Sequence, residues 1–328
     1  MLRIRQFLAM AGLTAVEAIR QPICLLLTTA CVLLTAAAPL LIMHNFGEEG
    51  KLARDSGLAF HLVVGLFVAG YAACSSLAAE MKSGTASAVL SKPVSREAFF
   101  LAKFVGVAGV VVAFSSCATL ATLLSERVSE KFGTVHGEYG YMTDWQTGIL
   151  LVLAPAAAYL AAAGINYRAK RPFVSVAFGL LFLCLLLSAV VSGLFDRLGY
   201  FAPFDFGIQW RILPASLLIT LALIVLSAVA MALSTRLGTV PTLALSSAVL
   251  AAGLLSDYFL GQKASASALA GFFYRLIPNW QHFWLSDALN NGGAIPWAYV
   301  VSAAFYAVTY SAGVLCLGLL SFRHADMK

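Results

Sequence analysis

Eight apolar runs divide this sequence, at residues 23–43, 57–79, 104–124, 147–166, 172–195, 212–233, 239–257 and 297–320, and within them only Asp257 carries a formal charge. Crossing the roughly 30 Å hydrocarbon core of a bilayer takes about 20 apolar residues in a helix. Each run is that long or nearly so. Inside lipid no water is present to satisfy a free amide or carbonyl, so runs this long must be helical. The expected fold is an all-α integral membrane protein, a polytopic bundle of about eight transmembrane helices within one transmembrane domain, 1–328. Composition agrees: 61% of residues are hydrophobic and 11% charged, where a soluble domain carries about 25% charge.

The polar intervals set the orientation. Lys and Arg total 13 over the N-terminus, 80–103, 167–171, 234–238 and the C-terminus, against 8 over 44–56, 125–146, 196–211 and 258–296. Basic residues are retained on the cytoplasmic side, so the first set is expected there, with both termini inside and an inner (cytoplasmic) membrane as the location. The net charge of +6 is dispersed at the ends of spans, which speaks for membrane orientation and against a nucleic-acid partner. Residues 2–21 read as an amphipathic helix. Ile4, Phe7, Leu8, Ala11, Ala15 and Ile19 fall on one face and Arg3, Gln6, Thr14, Glu17 and Gln21 on the other, the pattern of a helix in the headgroup plane next to membrane lipid.

The interval 80–103 is more than a connector. Gly84-Thr85 lets the backbone turn, Ala86 to Leu90 reads as a short helix, and Pro93 ends it, since proline lacks an amide donor and restricts its predecessor. Ser95 is placed to cap the next helix, with Glu97 in its first turn near the positive end of the dipole. On the opposite side, 125–146 reads as a solvated loop. The segment 258–296 is aromatic, and its residues 279–289 are expected to form an interfacial helix capped by Asn279 and ending near Gly292-Gly293.

Catalytic chemistry has no visible seat. The chain has no G-x-x-x-x-G-K-[ST] phosphate loop, H-E-x-x-H, G-x-S-x-G or C-x-x-C motif, and ATP hydrolysis by the usual means uses the first of these. Five histidines show no metal spacing, and six cysteines inside apolar runs read as small core residues. His61, Asn166 and Asp257 lie near span ends, where snorkelling or capping accounts for them. An ion-coupled secondary transporter would need a midplane carboxylate or inverted repeats, and a lipid-modifying membrane enzyme a polar cluster at one interface. Both stand as alternative readings without such a feature.

The order Glu80, Gly84-Thr85, Leu90, Pro93-Val94-Ser95-Arg96, Lys103 resembles the coupling segment of the ABC-2 type transporter permeases. The N-terminal helix ending at Pro22, the string Ser234-Thr235-Arg236-Leu237-Gly238, the stretch from Ile277 to the last run and the Phe322-Arg323 ending resemble that family too. The likeness is best over 1–110 and loose over the last 50 residues. It implies an elbow helix over 1–22, and a coupling helix at 80–103 that docks on two copies of a separate ATPase subunit through Glu80, Gly84, Thr85, Leu90, Pro93, Arg96 and Lys103. It also implies an extracytoplasmic gate within 258–296 at Pro278, Trp280, Phe283 and Trp284. ATP and Mg would sit on the partner, with no cofactor or metal in this chain, and the permease would pair with itself or a sister subunit, most members being exporters. Typical members have six spans, which makes six the alternative count here.

Overall fold

The computed structural model describes residues 2–41, 50–83, 95–135, 138–204, 207–261, 271–272, 274 and 276–323. Helix α1 (Leu2–Ile19) is followed by α2 (Pro22–Leu41), α3 (Lys51–Ser83) and α4 (Arg96–Val128). A two-stranded hairpin, β1 (Lys131–Val135) and β2 (Glu138–Met142), leads to α5 (Trp145–Ala169) and α6 (Phe173–Leu194). Then come α7 (Ile212–Ser234), α8 (Thr239–Leu254), the short α9 (Ser256–Phe259), 3-10 turns at Trp280–His282 and Ser286–Gly292, and α10 (Trp297–Arg323). Seven of these, α2 to α7 and α10, are long and apolar enough to cross a membrane. The run at 239–257 is the exception: α8 has 16 residues, or about 24 Å at 1.5 Å per residue.

The bundle is built on α3, α4 and α7, which pack on one another. Helix α7 is buried nearly all round, from Ile212 through Leu218, Leu223 and Leu226 to Met231, as expected of a helix apolar on every face. The α5–α6 pair attaches through α2 and α4, α8 rests on α3 and α7, and α10 lies chiefly along α7. One face of the bundle carries the ends of α3 and α10, the starts of α4 and α6 and the 235–238 turn; it is called here the elbow face, and the opposite one the hairpin face.

Helix α1 is amphipathic in three sectors rather than two. Ala11, Thr14 and Ala18 are buried, Ile4, Leu8 and Val16 are exposed apolar groups, and Gln6, Glu17 and Arg20 form an exposed polar flank. The buried sector faces α4, where Gly106 permits contact: a methyl group there would stand 2.6 Å from the Ala11 carbonyl oxygen and from Thr14 Cβ. Thr14 thus belongs to the packed face and not to the polar one, because its hydroxyl is satisfied within the helix by the Met10 carbonyl at 3.0 Å.

On the hairpin face, the described residues of the segment read as a solvated loop form a partly buried cap. Arg127 donates through Nε to Asp144 Oδ2 at 2.8 Å, both side chains 1% exposed, and through Nη2 to the Phe195 carbonyl at 2.5 Å. Asp144 also caps α5 by accepting from the Thr147 amide at 2.9 Å. Arg197 donates to the carbonyls of Arg127, Ser129 and Met142. His61 departs from expectation as well. It is fully buried, with Nδ1 3.2 Å from Ser216 Oγ on α7 and its ring edge-on to Phe114, while Nε2 has no hydrogen-bond partner among the described residues. Asp257 and Asn166 do act near helix ends: Asp257 accepts from Tyr274, and Asn166 donates to the Arg171 carbonyl.

Candidate functional site

Of the residues expected to dock an ATPase, Gly84, Thr85, Leu90 and Pro93 lie outside the described residues, as does the short helix expected over 86–90. Glu80 lies in the last turn-and-a-half of α3, its side chain likewise outside the description. The segment's far end is clear. Ser95 caps α4 by accepting from the Ala98 amide at 3.2 Å, with Glu97 in the first turn. Arg96 donates through Nη1 to the Arg323 carbonyl at 3.3 Å. Lys103 turns inward, 4% exposed, with Nζ 5.6 Å from the Phe99 ring centroid and 3.9 Å from Glu17 of α1. Its stem is packed and its charge meets the elbow helix.

The start of α4 meets the end of α10. Phe322, 1% exposed, stacks on Phe99 with centroids 6.3 Å apart and lies 5.7 Å from Phe100. Around this apolar centre, Arg323 Nε donates to Glu97 Oε1 at 3.0 Å. The α7–α8 turn joins them: Arg236 donates to Ser321 Oγ and to its carbonyl, each at 3.1 Å, and Thr235 and Ser321 hydroxyls lie 2.9 Å apart. Sequence reading saw Ser95 and Glu97 as a cap but not this clasp, since pairing across more than 200 residues leaves no local pattern.

At the other end of the bundle, Pro278, Trp280, Phe283 and Trp284 come together as a wedge rather than a surface belt. Trp280 is 1% exposed and Phe283 2%, and both belong to the main core. Trp280 donates through Nε1 to the Val249 carbonyl of α8 at 3.2 Å, and its ring passes over Gly253, where no side chain would fit beside it. Trp280, Phe283 and Trp284 line a small apolar pocket with Leu62, Ile219, Ala222 and Leu254. Leu62 and Ile219 lie about 16 and 10 Å along α3 and α7 from those helices' starts, at 1.5 Å per residue. The aromatics therefore sit among the spans, beside the second half of α8 at Val249 and Gly253. The helix expected over 279–289 is instead two 3-10 turns. Asn279 does cap the first, accepting from the Gln281 amide at 2.9 Å, and the second ends at Gly292 and Gly293.

The wedge is tied to α10 by three tyrosines. Tyr299 donates to the His282 carbonyl at 3.0 Å, Tyr310 to the Leu276 carbonyl at 2.9 Å, and the Asn279 amide donates to Tyr306 Oη at 3.2 Å. Their spacing of seven and four keeps them on one helix face, a stripe the sequence already displays. Behind the wedge, Tyr274 donates to Asp257 Oδ1 at 2.5 Å, and that bond to the carboxylate pushes the phenol's pKa above its ordinary value.

These features define a polytopic α-helical membrane protein with a compact clasp on one face and a buried aromatic wedge toward the other. Residues 19–184 match the family described as ABC-2 family transporter protein, and the chain belongs to that family. It is a membrane permease of the ABC transporter class, and the family is a transport component rather than the catalytic one. No curated protein and no solved structure matches the chain.

Proposed function

We propose that this permease couples ATP hydrolysis by a separate ATPase subunit to export of a substrate, with two ATPase copies docking at 80–103 and a second permease subunit, identical or sister, completing the pathway. The elbow face is cytoplasmic, so both termini are inside, and the membrane is the cytoplasmic one. ATP and Mg belong to the partner. Glu80, Gly84, Thr85, Leu90, Pro93 and Arg96 form the docking segment, and Lys103 anchors its following helix to α1. Pro278, Trp280, Phe283 and Trp284 form the extracytoplasmic gate.

The observation that supports this reading most is the joining of three chain-distant elements at the start of α4, the helix that follows the docking segment in sequence. Glu97, Phe99, Phe322, Arg323 and Arg236 tie α4, α10 and the α7–α8 turn into one body, so a push on the segment between α3 and α4 would reach several spans at once. Such a push biases an equilibrium between two packed states.

Co-expression with the ATPase provides the test. Gly84→Pro, and separately Glu80→Lys with Arg96→Glu, are expected to lose ATPase co-purification and transport-linked ATPase stimulation while the permease still accumulates. The expected loss is that of a desolvated charge partner at an interface, about 2–5 kcal/mol. Wild-type binding and stimulation in both variants would make 80–103 a plain connector.

A further inference from the structure

The last span is tied near both ends by side chains that reach beyond its main neighbour α7. Helix α10 is among the least buried spans, and its main helical neighbour is α7. Yet its final turn is locked to α4 through Phe322 and Arg323 and to the α7–α8 turn through Ser321. Its first half is locked to the wedge through Tyr299, Tyr306 and Tyr310. Tyr306 also packs edge-on to His282 at 5.5 Å and lies 5.9 Å from Phe283. Between Tyr306 and Phe322 the helix is unbroken, a stiff length of about 24 Å at 1.5 Å per residue.

We propose that α10 is a transmission rod, in which Phe322, with Glu97 and Arg323 at its rim, and the Tyr299–Tyr306–Tyr310 ladder act as positioning residues that make the wedge at Trp280 and Phe283 respond to the state of the elbow-face clasp. The design suits release. The Glu97 and Arg323 side chains are 38% and 50% exposed, and an exposed pair contributes little and is screened by salt. Phe322 supplies the buried centre that gives the clasp its register. Freeing it lets the end of α10 swing from Phe99 and Phe100, and the tyrosines carry that displacement to the carbonyls of Leu276 and His282 and the amide of Asn279. In the transporter the rod would carry the stroke from 80–103 to the gate, a role that rests on the function proposed above. The mechanical link itself is a property of this chain alone.

The test therefore uses the permease without any ATPase. Cys184 and Cys316 are replaced by Ser, the other four cysteines being buried, and exposed Gln281 is replaced by Cys. Its labelling rate by a membrane-impermeant maleimide is measured in proteoliposomes. Phe322→Ala is expected to raise that rate several-fold, and Phe322→Leu to leave it near the parent value. In a Tyr299→Phe, Tyr306→Phe, Tyr310→Phe background, Phe322→Ala is expected to add much less, because the ladder's three hydrogen bonds to the wedge are gone. Glu17→Ala, which removes a contact to Lys103 on the same face but not on α10, is expected to leave the rate unaltered. An unchanged rate in Phe322→Ala overturns the proposal. So does an equal rise in Glu17→Ala, which would indicate general loosening. Should Phe322→Ala fail to accumulate, Arg323→Glu takes its place, with the Glu97→Arg, Arg323→Glu double change expected to restore the parent rate and a failure to restore it counting against the rod. Loss of ATPase docking in Gly84→Pro would leave every one of these rates as it is.

Discussion

At the residue scale, a few side chains do work that their neighbours in sequence conceal. The Arg127–Asp144 pair is almost fully buried, and Asp144 spends its second oxygen on the α5 cap. Removing one member of a buried pair strands the other, at about 3–5 kcal/mol. Arg127→Ala is therefore expected to lower the thermal midpoint of the purified protein sharply, whereas Arg168→Ala, exposed in the last turn of α5, should leave it near the parent value. Gly106 is the second case. Its missing side chain lets α1 close on α4, while Gly109 one turn on has only an ordinary contact, with Ala15 Cβ at 4.0 Å. Gly106→Val is expected to pry α1 away, read as faster tryptic cleavage after exposed Arg20, with Gly109→Ala unaffected. Equal cleavage in the two variants would contradict this account of the elbow.

At the element scale, the spans were legible because their signal is local. Apolar runs of about 20 residues leave the backbone no other structure, and the caps at Ser95 and Asn279 could be read from residue type alone. Contacts between distant runs were not legible. His61 was read as a snorkelling end group, but Ser216 lies 155 residues away and offers it a partner deep in the bundle. Residues 125–146 looked solvated because six charges in one interval look polar; which of them are buried depends on Phe195 and Arg197 arriving from another loop. The aromatic stretch at 279–284 fits a lipid boundary by composition, and Gly253 of α8 makes room for it inside. Cysteine labelling checks the resulting arrangement. Residues placed at exposed Ala169 and Phe132 are expected to react from opposite sides of the membrane, and reaction from one side would remove a span between them.

At the scale of the whole molecule, the bundle has a buried centre and a more exposed margin. Helices α3, α4 and α7 share the main core, and α10 adds Val300, Ala303, Ala307, Leu315 and Phe322 to it from one face, with a clasp at one end and the wedge near the other. The chain belongs to a family of ABC transporter membrane components, and the function proposed above gives it an external engine, an ATPase docked at 80–103. The direct measurement is to place a photo-crosslinking amino acid at position 88, at exposed Ala169 and at exposed Phe132, irradiate the native membranes, and identify what each position captures. The account predicts a phosphate-loop ATPase joined to position 88 and not to 132, with capture lost in Gly84→Pro. A position 88 that captures no ATPase, or captures it no better than 132 does, would contradict it.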